Sequence, residues 1–508
     1  MPKEPLIIFA LDSGDFSLIE KWGGQGFLPN LTALGREGAT LEVTGPGVFD
    51  EIGAWITAFS GVPQERHEYY GSRRLKANSY ELEVVAFEEA GARPFWAGED
   101  GGDVRVAILD PPEPTLHPGV NGIELAGLNM HYEAYADFGS RSVPSDLVRR
   151  VEEMMGGNPS YKYGVFDAEP GYYVKQLDGN LDRMRRRCEA FRQLLREDRY
   201  DLIVIGFGEV HDLGHMMWPF DAETATSASP DAELRHGLRR VYEKVDEEIG
   251  RFLEMLPPGA EVMVLSLYGL KDQLPTAPLG EQLLDRLGYR VASKSQPKPF
   301  HPLSIARRVL PQPLREKLSK FVPFDGQQRL LHSYFASATD FSRSRVFTIP
   351  SIYQNWIRVN VKGRDPLGMV EPRDCARLLD EIEQEMRKIV DPVTGQAAIS
   401  VALRTSGEDG MPTVSAHLPD MVVHWRSAKH FLERAEHPSG ELRQSKPQFY
   451  RNSFHRFPGF LIWKGKASGA ARGRSIGVLD IAPTCADLLG VPRGGEMAGK
   501  SVVALSSG

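Results

Sequence analysis

The sequence predicts an α/β fold, a mostly parallel central sheet with helices on both faces, interrupted by an inserted lid-like segment. Three observations predict it. Apolar runs of strand length recur along the chain, amphipathic helical stripes lie between them, and the first run ends in an aspartate followed by turn residues.

The opening run Leu6-Ile7-Ile8-Phe9-Ala10-Leu11 reads as a buried strand that stops at Asp12-Ser13-Gly14, and Pro29-Asn30-Leu31 starts a helical pattern. An acid at the carboxyl end of the first strand stands where open α/β sheets place their chemistry. Leu181, Met184, Cys188, Phe191 and Leu195 follow at helical spacing and run into Asp201-Leu202-Ile203-Val204-Ile205-Gly206, a second buried strand. Leu234, Leu238, Val241, Val245, Ile249 and Phe252 form another helical stripe, and Val262-Met263-Val264-Leu265-Ser266 another strand. Leu379, Ile382, Met386 and Ile389 predict a later helix, and Leu488-Leu489-Gly490 a last short one stopped by glycine.

Between Arg286 and Phe335 the composition changes. Ten Lys or Arg stand against Glu316 and Asp325, so this stretch carries +8 and the remainder of the chain −16. With six prolines it reads as an insertion and not as a sheet strand. The expected organisation is residues 1–270 as the first part of the core, 271–345 as the basic insertion and lid, and 346–508 as the second part of the core.

Composition narrows the function. A net charge of −8 argues against nucleic acid or an anionic membrane as partner. No apolar run approaches the roughly 20 residues of a membrane helix, and the first run is a strand, not a signal peptide. Cys188, Cys375 and Cys485 are isolated, which suits reduced core thiols in a cytoplasmic protein and provides no thiolate framework for a metal.

The sharpest cluster is Gly208-Glu209-Val210-His211-Asp212-Leu213-Gly214-His215, directly after a buried strand. Two imidazoles four apart share a face if the turn is helical and can then point at one ion; on spacing alone they are equally well exposed loop histidines. His455, in Asn452-Ser453-Phe454-His455-Arg456, is a third imidazole before an apolar strand. Asp50 and Glu51 precede Ala54-Trp55, where adjacent acids ordinarily cap a helix.

Taken in order, Asp12, Leu28-Pro29-Asn30-Leu31, the segment from Ala54-Trp55 to Gly61-Val62-Pro63 with His67, Gly214-His215, Ser266 with Gly269, His455-Arg456 and Asp480-Ile481-Ala482-Pro483-Thr484 resemble the type I phosphodiesterase and nucleotide pyrophosphatase branch of the alkaline phosphatase superfamily. The resemblance covers nearly the whole chain and fits the basic insertion least. It implies two zinc-type ions held by seven positions, and this sequence departs at four. Asp12, His215 and His455 are kept. The Ser or Thr nucleophile is Glu51, the aspartate four before the ligand histidine is His211, and an Asp-His pair is Leu267-Tyr268.

Sorted by ion, the changes are not scattered. One ion loses the Asp-His pair and keeps Asp12 alone. The other finds His211, His215, His455 and Glu51, a set suited to one divalent transition metal, zinc, iron, cobalt or manganese. The expectation is a mononuclear metal-dependent hydrolase or group transferase that acts on an anionic small molecule without the usual hydroxyl nucleophile. Asp12, Tyr268 and Glu51 would carry its chemistry, with Asp50, Arg307 and Arg308 on the substrate. A non-haem redox enzyme and a binding protein that retains the fold stay open as alternatives. The basic segment would act as a lid or dock a second copy of the chain.

Overall fold

Leu6–Leu11 form the first strand, β1, and all six residues are buried, the pattern of a strand covered on both faces. The computed structural model describes residues 4–45, 48–49, 51–97, 104–128, 139–158, 169–225, 229, 231–293, 335, 338–405, 411–447 and 450–503. The strands that matter follow in chain order as β2 (Ala39–Thr44), β3 (Val106–Leu109), β4 (Gly122–Ala126), β5 (Arg141–Val143), β6 (Leu202–Phe207), β7 (Glu261–Ser266) and β8 (Gly269–Asp272). Next come β9 (Val346–Ile349), β10 (Asn355–Val359), β11 (Ile399–Arg404), β12 (Met421–Trp425), β13 (Ser453–Arg456), β14 (Gly459–Lys464) and β15 (Ser475–Gly477).

The main sheet runs β15-β2-β14-β7-β1-β6-β3-β4-β5. Strand β1 lies at its centre, parallel to β6 on one side and β7 on the other. β3 is parallel to β6 and β4, whereas β14 enters antiparallel between β2 and β7. Alternate residues of β1 face opposite cores. Ile7, Phe9 and Leu11 pack with helices α1 (Phe16–Gly24), α2 (Pro29–Glu37), α4 (Pro170–Glu197) and α6 (Gly237–Leu253). Leu6, Ile8 and Ala10 face α3 (Ala54–Ser60) and α9 (Ile481–Leu489). This is the predicted two-faced α/β core, and α9 ends at Gly490 in the left-handed region as the sequence indicates.

The return to the core comes later than position 346. Strands β9 to β12 form an antiparallel sheet of their own, ordered β9-β10-β12-β11. One face buries Ile357, Val359 and Val423 against α7 (Ala277–Arg286) and α8 (Cys375–Met386). The other buries Phe347, Ile349, Trp356 and Val422 around Val48 and Phe49 of the main unit. A second hydrophobic core therefore occupies the start of the 346–508 stretch, and the chain re-enters the main sheet at β14. Of the basic insertion, residues 294–334, with Arg307 and Arg308, lie outside the described residues, as does Asp50.

All three cysteines are buried and free of disulfides. Among the described residues no helix is long and apolar enough to cross a membrane.

Candidate metal centre

Strand β1 and its two neighbours deliver the site. Asp12 follows β1, and Tyr268 follows β7 at Ser266. His211 and His215 lie on α5 (Glu209–Met217), which starts two residues after β6. The turn is helical, so the two rings share a face, with centroids 4.7 Å apart. His455 arrives on β13, which pairs antiparallel with β8 so that His455 stands opposite Leu270.

Helix α5 is seated by a buried ion network. Arg187 of α4, fully buried, donates to both carboxylate oxygens of Glu209 at 2.9 and 2.7 Å, to Asp110 at 3.1 Å and to the Gly206 carbonyl at 3.0 Å. Burial pushes the Asp110 carboxyl upward against the pull of Arg187. Gly206 has no room for a side chain, because a Cβ there would meet the Asp110 carbonyl at 1.8 Å. Losing Arg187 would leave two buried carboxylates uncompensated, a cost of about 3–5 kcal/mol.

Each imidazole is held from behind. The Nδ1 atom of His211 lies 3.3 Å from Asp12 Oδ2, and that of His455 lies 2.8 Å from Glu51 Oε1. His215 Nδ1 is 2.7 Å from the Ser453 hydroxyl. The Nε2 atoms point the other way and meet: His455 Nε2 is 3.1 Å from Nε2 of both His215 and His211. All three residues are buried, and they form the group of potential metal ligands among the described residues. A carboxylate at Nδ1 draws the ring proton there and turns Nε2 into a lone pair. His211 fits this tautomer, because Arg451 Nη1, which can only donate, contacts its Nε2 at 3.4 Å.

Lone pairs facing one another at 3.1 Å repel unless a cation lies between them. For a tetrahedral ion with metal-nitrogen distances of about 2.0–2.1 Å, ligand nitrogens sit about 3.3 Å apart. The three imidazoles therefore fit a transition metal. Glu51 is the fourth ligand expected from the sequence. Its Oε1 lies 2.8 Å from Nδ1 of His455, the ring nitrogen opposite Nε2, and Gly53, at φ +75°, turns the chain into α3. A Cβ at Gly53 would meet the Tyr69 carbonyl at 2.5 Å.

The neighbouring half of the site is closed by hydrogen bonds. Tyr268 Oη donates to Asp12 Oδ1 at 2.8 Å and accepts from Trp55 Nε1 at 3.2 Å. With its other oxygen beside His211, Asp12 is committed on both sides, and Leu267 is fully buried. Behind this half, Glu113 accepts from the backbone N–H of Gly53 at 2.7 Å and of Trp55 at 3.0 Å, and burial pushes its carboxyl up to about 8. Ser13, Asp110 and Glu113, all at this edge, adopt positive φ of 64°, 56° and 46°, the kind of strain that clusters at functional sites.

Sequence reasoning missed Arg451, Ser453 and Glu113. Arg451, Ser453 and His455 alternate, which in extended chain puts three polar side chains on one face. That signal was available. Glu113, in a proline-rich loop, offered none.

The model of the type I phosphodiesterase/nucleotide pyrophosphatase family matches residues 6–438. The chain belongs to this family. Membership makes it an enzyme of the hydrolase or transferase kind, acting on phosphate esters. The matched span ends before His455. Phosphonoacetate hydrolase from Sinorhizobium meliloti 1021, solved with phosphonoformate, shares 13% identity at a TM-score of 0.50, with 96% of each chain covered. The same hydrolase with phosphonoacetate gives 12% identity and the same score and coverage. Murine ectonucleotide pyrophosphatase/phosphodiesterase 5 shares 12% identity at a TM-score of 0.46, covering 97% of this chain and 96% of that one. At such identities the phosphonoacetate hydrolase likeness speaks for the alkaline phosphatase-like fold alone. No curated protein matches the sequence.

Proposed function

We propose that this chain is a mononuclear metal-dependent hydrolase or group transferase acting on an anionic small molecule, with His211, His215 and His455 as the protein ligands. The convergence of three Nε2 atoms, with the opposite nitrogens against Asp12, Ser453 and Glu51, carries the reading. When bound, a divalent ion supplies Lewis-acid chemistry there, polarising a phosphoryl oxygen and making water a competent nucleophile near neutral pH.

The residues divide the remaining tasks. Asp12 and Glu51 hold protons at Nδ1 of His211 and His455 and thereby fix the lone pairs that face the ion. Glu51 at the family's nucleophile position has no hydroxyl to be phosphorylated, and its Oε1 is engaged with His455. The double displacement of the family is therefore closed, and water or an acceptor alcohol takes the role of attacking group. Tyr268 and Leu267 stand where the resemblance would put ligands of a second ion, and the phenol holds Asp12 in its place.

Elemental analysis of protein purified without added metal tests this. About one zinc per chain is expected, falling to near zero in His215→Ala, with slow turnover of an aryl phosphodiester at best. Full metal content in His215→Ala sinks the ligand set. Iron at unit stoichiometry without hydrolysis would transfer the site to the redox alternative.

A further inference from the structure

We infer that Glu113 is a positioning residue of this centre, whose carboxylate fixes the turn that carries Glu51 and thereby sets how tightly the imidazoles hold an ion; this rests on the metal reading above. Glu113 is buried, and its two oxygens take different donors: Oε1 accepts from the Gly53 N–H at 2.7 Å and Oε2 from the Trp55 N–H at 3.0 Å. Gly53 stands two residues after Glu51, whose Oε1 lies 2.8 Å from Nδ1 of His455. The carboxylate therefore holds the backbone just past the point from which the Glu51 side chain starts.

The same turn serves the other imidazole support. Trp55, held by the second oxygen of Glu113, donates its indole N–H to Tyr268 Oη at 3.2 Å, and that phenol donates to Asp12, the acid beside His211. The Gln64 carboxamide donates to the Ile52 carbonyl, so the turn is fixed at a carbonyl by Gln64 and at its N–H groups by Glu113. The carboxylates behind His211 and His455 thus trace back to one buried acid.

The cost of the arrangement points the same way. Burial and the nearby charge of Asp12 raise the Glu113 carboxyl, against the backbone N–H groups of Gly53, Trp55 and Ile56, which favour its ionised form. Its φ of +46°, between Pro112 and Pro114, is strained for a residue with a side chain and persists only where the surroundings hold it. A carboxamide of the same shape would bury no charge. It has a single acceptor oxygen, however, and would set an N–H₂ group against one of the two N–H donors. Two donors arriving at two oxygens require the carboxylate.

The test uses the full chain and two readouts that need no turnover: zinc affinity by competition with a chelator, and the visible absorption of the cobalt-loaded protein. In Glu113→Gln one ion still binds at saturation, the zinc dissociation constant rises by about tenfold, the lower end of the range for supports of ligating imidazoles, and the cobalt bands shift. Ser60→Ala is the comparison for helix stability alone. Its hydroxyl donates to the Ile56 carbonyl and accepts from the Val62 N–H at the far end of α3, so the melting transition falls while zinc affinity and the cobalt bands stay as in the wild type. In a Glu51→Ala background the further loss from Glu113→Gln shrinks to near nothing, because a residue that acts through another adds nothing once that one is gone. Should Glu113→Gln show no melting transition, Glu113→Asp, which keeps the charge but falls one methylene short of the two N–H groups, is read in the same way. Wild-type zinc affinity in the folded Glu113 variant overturns the assignment and leaves the metal reading standing. Equal weakening in Ser60→Ala, or an undiminished loss in the Glu51→Ala background, overturns it as well. A wild type that takes up no metal overturns the metal reading and the role of Glu113 with it.

Discussion

The two halves of the site received opposite treatment. On one side, His455 Nε2 lies 3.1 Å from Nε2 of both His215 and His211, the arrangement that carries the proposed metal site. On the other, the tyrosine hydroxyl, the Trp55 indole and Asp12 satisfy one another without any guest. The difference teaches that replacing ligands is not the same as losing a site. At Leu267-Tyr268, where the family resemblance implies an acid and an imidazole, the chain has a buried apolar side chain and a phenol that donates to Asp12. At His211, where the family resemblance implies a carboxylate, the chain has an imidazole with Asp12 Oδ2 3.3 Å from its Nδ1.

The largest test reverses the closed half. Replacing Leu267 with Asp and Tyr268 with His together returns the acid and imidazole that the family resemblance implies, beside an Asp12 relieved of the phenol. Two ions per chain instead of about one are expected, measured by elemental analysis under zinc excess. A double variant that folds, judged by its melting transition, yet still holds a single ion would show that the closed half is shaped by more than these two side chains.

Much of this was legible beforehand, for identifiable reasons. Asp12 directly follows one buried apolar strand, and His211 and His215 lie on the helix that starts two residues after another, and strand ends can be read from hydropathy. Glu51 was legible as a site residue but its contact was not, since spacing cannot say which nitrogen of His455 it meets, 404 positions away by the numbering. The smaller sheet, inside the 346–508 stretch expected as the second part of the core, was not legible as a unit of its own. Val346-Phe347-Thr348-Ile349 and Met421-Val422-Val423 are apolar enough for any buried strand, and nothing local tells which partner they pair with.

A second test turns on a buried imidazole beside the closed half. His67, under α3, accepts from the Tyr69 N–H at Nδ1 and bonds Thr57 Oγ1 through Nε2 at 2.9 Å. Burial lowers its titration to about 4. Between about 4 and the unfolded value near 6.5 the unfolded chain binds a proton that the folded chain refuses, so stability falls as pH falls through this window. The contribution is at most about 3 kcal/mol. Denaturant midpoints from pH 7 to 4.5 should therefore decline in the wild type, with a visibly shallower slope in His67→Gln. Parallel slopes would mean that His67 takes up its proton without unfolding.

The smallest effect sharpens the open half. If Glu51 acts from behind His455 and is not itself a ligand, Glu51→Gln keeps an oxygen able to accept from Nδ1 but removes the charge that makes the ring a better donor to the ion. Partners of this kind change metal affinity by about 10- to 100-fold. Competition with a zinc chelator should accordingly show weaker binding by about tenfold in Glu51→Gln, with one ion still bound at saturation, and a larger loss in Glu51→Ala, where the ring also loses its orientation. A direct ligand would behave otherwise. Removing it would leave three imidazoles and an additional open position, and the amide variant would resemble the alanine variant, because a neutral amide oxygen replaces a carboxylate poorly at a transition metal. The ratio between the two variants, more than either loss alone, thus decides whether the carboxylate faces the ion or the ring.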